Sequence, residues 1–438
     1  MNYKVLVIFA QRMKKMLHSG LFRNIASIGI LQIANYIVPL LIVPFVTRAL
    51  GKEVFGSVSY AQNIVAYLTL LVTYGYEYSA TQDVALYRDD RDKLRTIFWT
   101  VIGSRLRLFA LSLLLLVAAS FFITRIQDSP LLYTAAALIN LGVAIYPTWF
   151  FQGIEQMGKM AVAGFLIKAI GGVLIILLVT TPADGMLYLL LLSLAYVVVG
   201  IGTLIYVVKN FSVHKPTTTD KSLARSIKKR AFPIFLNAFF VSLYTMVGLT
   251  ILGAYVDDSE LGLYSGAYRI IMAIMTVSNT PINIGLFPVM SRRWHASLSE
   301  GWKFFGKALC IVGAGGVTIS TITYFLAPLL VSILLGSEFT EAIILLRPMA
   351  VLPLLVMVSS LLTVQGLYGL RKQHLAPYLG FAVAFAGLTL NLLLIPTYGT
   401  EGAVWAWITS QVCEILIATT ILIILRRRTH LQKIHTEP

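Results

Sequence analysis

Eight charged side chains lie inside long apolar stretches of this chain, and their types point to binding an ion or a charged solute rather than to breaking bonds. Five are basic (Arg105, Arg107, Lys168, Arg269 and Arg347) and three are acidic (Glu77, Asp83 and Glu414). A basic side chain at the centre of a membrane helix costs roughly 2.5–3.5 kcal/mol on insertion scales. Several left unpaired approach the stability of a typical domain, about 5–15 kcal/mol. Each must therefore pair, reach the interface or line water, and three carboxylates cannot pair five cations. The surplus predicts a hydrated, net-cationic cavity that accepts an anion.

The candidates differ in depth. Arg269, in a Tyr/Gly-rich stretch, and Lys168, near mid-span, are too deep to snorkel easily and are read as cavity-lining. Arg347 lies near a span end and reads either as a cavity residue or as a snorkelling side chain. Arg105 and Arg107 are two positions apart and point to different helix faces, so at most one lines the cavity, and Arg105 is taken. Arg48 ends the first stretch, where it is an interfacial anchor or a further substrate contact. Glu77, in YGYEYSATQD, has two readings: a carboxylate carrying a coupling proton, or an ion pair with Arg105. Glu414 has the same two readings, and Asp83 completes the acidic candidates for ion coupling.

These side chains need elements to hold them. The chain has 438 residues, 58% hydrophobic and 12% charged, against about 25% charged in soluble chains. Twelve apolar runs are expected to be membrane helices, near 24–47, 56–84, 97–122, 131–151, 160–180, 185–208, 231–254, 261–289, 306–334, 342–368, 376–396 and 402–425. Each has about 20 residues or more, enough to cross a hydrocarbon core of roughly 30 Å. The fold class expected is an all-α membrane protein.

Charge sets the expected orientation. Of 35 Lys and Arg residues, 27 fall in alternate connectors, counting Lys307 at the edge of one, whereas the intervening connectors hold only Arg48, Lys52 and Arg125 beside nine acids. This pattern predicts a multi-pass protein of the bacterial inner membrane with both termini cytoplasmic. The net charge of +16 is then a topology determinant facing anionic lipid, which argues against nucleic acid as a partner. Cys310 and Cys413 lie within spans and all six histidines in cytoplasmic segments, which disfavours disulfides, metal sites and a histidine proton relay. No Walker A, H-E-x-x-H, dinucleotide loop or Ser/His/Asp set occurs, so neither an enzyme nor a cofactor is expected. Val5–Ala10 is too short for a cleavable signal, and the first 20 residues are expected to form an interfacial helix.

The connector at 209–230 splits the runs six and six. The domains expected are a cytoplasmic segment at 1–23, a first lobe at 24–208, the linker at 209–230, a second lobe at 231–425 and a tail at 426–438. Gly56, Ser59, Ala61 and Ile64 in VFGSVSYAQNI echo Gly262, Ser265, Ala267 and Ile270 in ELGLYSGAYRI. Gln152-Gly153 echoes Gln365-Gly366 in the same way. Two pseudo-symmetric six-helix lobes around a central cavity follow, with a substrate site near mid-bilayer. Pro39, Pro44, Pro281, Pro288, Pro348 and Pro353 are expected to kink their spans, either statically or as the cavity changes sides.

Three segments carry a resemblance: YPTWFFQGIEQM at 146–157, LGKEVFGSVSYAQ at 50–62 and YGYEYSATQDVA at 74–85. With the twelve expected spans, the chain resembles the Wzx-type polysaccharide (O-antigen, repeat-unit) flippases of the multidrug/oligosaccharidyl-lipid/polysaccharide exporter superfamily. The resemblance implies a carrier that moves an undecaprenyl-pyrophosphate-linked oligosaccharide across the inner membrane by alternating access, with ion coupling in some members. It implies a lipid-linked oligosaccharide and membrane lipid as partners, and a glycan polymerase and chain-length regulator in the same pathway. A multidrug/cation antiporter and a lipid II flippase are the rival readings within the superfamily. An antiporter of cations calls for an acidic cavity, which the surplus of buried bases disfavours.

Overall fold

The computed structural model describes residues 20–214 and 220–434. The interfacial helix expected at the start of the chain, part of the connector at 209–230 and the end of the tail lie outside the described residues. Among those residues every regular element is helical. The first half contains α1 (Gly20–Thr73), α2 (Tyr76–Leu86), α3 (Arg91–Ser120), α4 (Thr124–Asp128), α5 (Pro130–Ile145), α6 (Thr148–Gly153), α7 (Met157–Leu178) and α8 (Gly185–Asn210). The second contains α9 (Lys221–Thr245), α10 (Val247–Leu252), α11 (Asp258–Ala296), α12 (Leu298–Leu334), α13 (Ala342–Met349), α14 (Leu352–Ser360) and α15 (Ala376–Ile434). A π-helix, Leu361–Tyr368, continues α14.

Nine helical stretches among the described residues are long and apolar enough to cross a membrane, where the sequence reading expects twelve. Much of the difference lies at two glycines. Gly51 (φ 69°, ψ 172°) interrupts α1 and Gly399 (φ 54°, ψ −130°) interrupts α15, so each long helix joins two expected runs. The stretch Ala376–Arg427 has 52 residues. A straight helix of that length spans about 78 Å, more than twice a hydrocarbon core of about 30 Å. Positive φ costs glycine little, which is why the breaks fall there. The run expected at 231–254 is divided between α9 and α10 and is not among the nine. Pro281 and Pro288 lie inside α11 without ending it, whereas α13 stops after Pro348 and α14 begins around Pro353.

The chain divides into two compact units, one of Met1–Val46 with Ile64–Ala238, the other of Thr47–Asn63 with Phe239–Pro438. In the first unit α5 lies along α8. Gly142 on α5 leaves room for the α8 backbone, since an added Cβ stands 2.7 Å from the Tyr196 carbonyl oxygen. Small residues of this kind let membrane helices approach closely. An aromatic core of Tyr76, Phe98, Trp149, Phe150 and Phe151 ties α2, α3 and α6 together. Phe98 meets Phe150 edge-on at 5.4 Å, a favourable arrangement of ring quadrupoles. Asp90 caps α3 by accepting from the Lys93 backbone N–H, which holds its carboxyl below the usual range.

In the second unit Asp257 caps α11 by accepting from the Glu260 N–H, and Asp258 and Glu260 occupy the first turn. Arg293 and His295 occupy the last turn, so both ends complement the helix dipole. The two glycines that echo in sequence meet here. A Cβ on Gly56 collides with the Asp258 carbonyl oxygen, and a Cβ on Gly262 collides with the Lys52 carbonyl oxygen. Each glycine thus admits the backbone four residues before the other. Ser57 Oγ donates to Asp258 Oδ2 at 2.5 Å beside this crossing. A second core, around Met290, Trp294, Phe305, Leu361 and Leu422, packs α11, α12, the π-helix and α15, and Trp294 Nε1 donates to the Gln365 carbonyl at 2.9 Å.

The obstacles at Gly262 are backbone atoms that cannot swing aside. Gly262→Val is expected to destabilise the protein by about 3 kcal/mol or more, at or beyond the upper end of overpacking costs. Thermal unfolding of detergent-purified protein reads this as a lowered Tm, and an unchanged Tm refutes the close crossing.

Candidate functional site: charged side chains within the helical units

In the first unit the site starts from a proline. A helical carbonyl at position 143 normally accepts from the N–H of residue 147, and Pro147 has none. Arg105 on α3 serves this region: its Nη1 donates to the carbonyls of Val143 (3.4 Å) and Tyr146 (3.3 Å). Its Nη2 donates to Glu77 Oε1 at 2.7 Å. Thr148, the first residue of α6, donates from Oγ1 to Glu77 Oε2 at 2.7 Å. Glu77 reaches this position because Tyr74 (φ 46°) and Gly75 (φ 73°) break the helix before it and start α2 anew. Arg105 is fully buried. Two of the segments that carry the family resemblance therefore meet at one guanidinium.

The neighbouring charges have other partners. Arg107 is exposed and donates from Nε to the Gly103 carbonyl of its own helix. Asp83, buried near the end of α2, accepts at both oxygens from Arg230 Nη2 on α9, at 2.6 and 2.8 Å. Lys168 on α7 is half-buried, with Nζ 5.2 Å from the Tyr196 ring centroid. Asn140 is fully buried and accepts from Thr69 Oγ1 at 2.6 Å.

The second unit holds Arg269 in different company. Its Nη2 donates to Gln62 Oε1 at 2.6 Å and to Ser59 Oγ at 3.2 Å. Its guanidinium carbon lies 4.7 Å from the Phe55 ring centroid. Among the described residues no carboxylate lies within ion-pair distance of it. The partners are two neutral side chains and a ring face, so they orient the cation and leave its charge in place. Gln62 and Ser59 come from the crossing of Gly56 with Gly262, which brings them to α11. Sequence reading named neither as a partner of Arg269, although Ser59 belongs to the repeated pattern.

Arg48 is exposed and donates from Nη2 to the carbonyls of Ser332 (3.2 Å) and Ile333 (2.8 Å), in the last turn of α12. A cation there complements the helix C-terminus. Arg347 is exposed, 5.6 Å from the Tyr324 ring centroid. Glu414 on α15 is half-buried, one turn beyond Gln411, which accepts from Ser359 Oγ at 3.4 Å. The structure thus brings Arg105 together with Glu77. Arg269, Arg48 and Arg347 occupy three distinct places in the second unit, while Lys168 lies in the first.

Two solved structures share this helical fold. An inward-facing multidrug resistance MATE family transporter of the MOP superfamily superposes with a TM-score of 0.68, at 16% identity over 95% of this chain and 100% of that chain. The lipid II flippase MurJ, in an inward closed conformation, gives 0.62 at 14% identity over 89% of this chain and 86% of that chain. Residues 21–294 match the family model described as polysaccharide biosynthesis protein, and the chain belongs to that family. A protein named "Putative O-antigen transporter" in Escherichia coli (strain K12) is 28% identical over 93% of this chain and 97% of its own length. One of the same name in Shigella dysenteriae is 27% identical over 90% and 98%.

Removing one partner of a buried ion pair typically costs about 3–5 kcal/mol. Arg105→Ala is expected to lower stability by that order, because Glu77 and two carbonyls lose their donor together. The double variant Arg105→Met with Glu77→Gln is expected to recover part of the loss, since no buried charge then remains alone. Thermal unfolding of the two variants side by side checks this, and a wild-type Tm for Arg105→Ala sinks the structural role.

Proposed function

We propose that this chain is a flippase that moves undecaprenyl-pyrophosphate-linked oligosaccharide repeat units across the bacterial inner membrane for polysaccharide biosynthesis. In this reading it has twelve crossings in two six-helix lobes, 24–208 and 231–425, around a central cavity, with both termini cytoplasmic. The family match, the names of the relatives and the placement of basic residues in alternate connectors support it. The observation that carries the chemistry is Arg269, a cation within a span whose side-chain partners are all neutral. A diphosphate is the natural complement, because guanidinium–phosphate hydrogen bonds are charge-assisted and paired in geometry.

In the proposed cycle the diphosphate meets Arg269, Lys168 supplies a second positive charge, and the lobes alternate access around the bound head group. The polyprenyl tail stays in lipid. Arg105 acts as a positioning residue through its ion pair with Glu77, and Arg48 as a helix cap. Ion coupling falls to Glu414. Glu77 and Asp83 each have an arginine partner, whereas among the described residues Glu414 has no lysine or arginine within ion-pair distance. A glycan polymerase and a chain-length regulator act downstream on the delivered units.

Two outcomes test this reading. A hydrogen bond to a charged group contributes about 1.5–3 kcal/mol, so Arg269→Ala is expected to cut flipping by about 10- to 100-fold. Arg269→Lys is expected to retain an intermediate rate. The measurement is surface glycan in cells lacking the wild-type protein, with membrane insertion of each variant confirmed. Normal glycan in Arg269→Ala removes this residue from the site. In proteoliposomes with defined lipid-linked sugars, Glu414→Gln is expected to abolish stimulation by an imposed ion gradient while downhill flipping persists. Faster movement of lipid II than of repeat units in the same vesicles overturns the substrate assignment.

A further inference from the structure

Arg347 has surroundings unlike those of Arg269. It stands in the last turn of α13, beside Tyr324 of α12. Both line a cavity of about 350 Å³ in the second unit, together with Ile344 and Pro348 on α13 and Glu401 and Trp405 on the part of α15 beyond the Gly399 break. The rim is apolar and open: Ile344 is 62% exposed and Trp405 52%. On a membrane helix such surface lies against acyl chains. Tryptophan, tyrosine and arginine together at a span end mark the level of lipid head groups.

The charge pattern inside the cavity is specific. Arg347 and Glu401 share it without forming an ion pair with each other. Held apart, they offer separate partners to a molecule carrying both signs. A phosphodiester suits the guanidinium. A primary ammonium suits the carboxylate and the faces of Tyr324 and Trp405. A headgroup with phosphate alone is served less well, because Glu401 repels it.

We propose that this cavity binds the head group of an ethanolamine glycerophospholipid, with the phosphodiester on Arg347, the ammonium at Glu401 and an acyl chain along Ile344 and Trp405. The site is distinct from Arg269 and removes Arg347 from the substrate path. The leaflet involved follows from the orientation proposed above, whereas the head-group chemistry does not depend on it.

Native mass spectrometry of the delipidated full-length protein tests the assignment, with phosphatidylethanolamine, phosphatidylglycerol and a prenyl diphosphate as probes. The wild type is expected to retain phosphatidylethanolamine over phosphatidylglycerol. Arg347→Ala is expected to weaken phosphatidylethanolamine retention about tenfold, the size of one charge-assisted hydrogen bond. Glu401→Gln is expected to hold lipid and lose the preference between the two head groups. That second variant decides the matter by selectivity if Arg347→Ala does not fold. Equal retention of both lipids by the wild type, or an unchanged preference in Glu401→Gln, overturns the proposal. So does displacement of phosphatidylethanolamine by the prenyl diphosphate in both the wild type and Glu401→Gln, which makes the cavity a site for the transported diphosphate. Lipid retention is read without transport, so failure of the flippase assignment leaves this result interpretable.

Discussion

Hydrocarbon offers no water to a carbonyl that has lost its helical donor, and much of the first unit is arranged around that constraint. Pro147 removes the N–H that the Val143 carbonyl needs. The break it makes also separates α5 from α6, which sends Thr148 and Trp149 in a new direction. Arg105 fills the gap, but a guanidinium at full burial needs a counter-charge. Glu77 supplies it, and the second oxygen of Glu77 is then satisfied by Thr148. One missing donor thus links α2, α3, α5 and α6 in a single network. The aromatic core around Phe98 and Trp149 packs three of these elements, α2, α3 and α6, together. Asp83 and Arg230 extend the logic by one more pair, tying α9 to α2.

The second unit meets the same constraint by closeness rather than by charge. At Gly56 and Gly262 two helices approach until each backbone occupies the space of the other's missing side chain. Such an approach gains dispersion contacts and costs no buried polar group. It also fixes which side chains meet across the helices. Ser59 and Gln62 lie one and two turns on from Gly56, and Arg269 lies two turns on from Gly262, so the crossing delivers them to one another. A guanidinium between an amide oxygen, a hydroxyl and a ring is oriented without being neutralised. The first unit spends its carboxylates on its arginines, and this one does not.

Much of this was legible in the sequence, and what was not has a common cause. Helical crossings show in apolar runs of about 20 residues because the bilayer imposes that length. The breaks at Gly51 and Gly399 fall between expected runs for the same reason. The two readings of Glu77 were also visible, since a buried acid among tyrosines near a buried arginine must do one thing or the other, and it pairs. Less visible were contacts between residues far apart in the chain. Arg230 looked like one more base in a cytoplasmic connector, yet it binds Asp83, 147 positions earlier. Residues 47–63 pack with the second half of the chain, which no local pattern of hydrophobicity encodes. The repeat of Gly56 and Gly262 was read as an echo between halves. That the two glycines touch follows only from the fold.

The difference between the units has a consequence for energy coupling. In the first unit each deep acid is matched by an arginine, so the network is electrically closed and has little reason to exchange ions. In the second, Arg269 has only neutral side-chain partners, and among the described residues no lysine or arginine lies within ion-pair distance of Glu414. Two charges held in a low-dielectric interior feel each other over longer distances than in water, because the interaction scales inversely with the effective dielectric constant. In the proposed cycle an anionic head group at Arg269 would cancel the positive member and leave Glu414 uncompensated, and a cation taken up at Glu414 would restore the balance. Substrate and coupling ion would then depend on each other through charge balance as the lobes alternate access, and each would alter the other's affinity by the same factor.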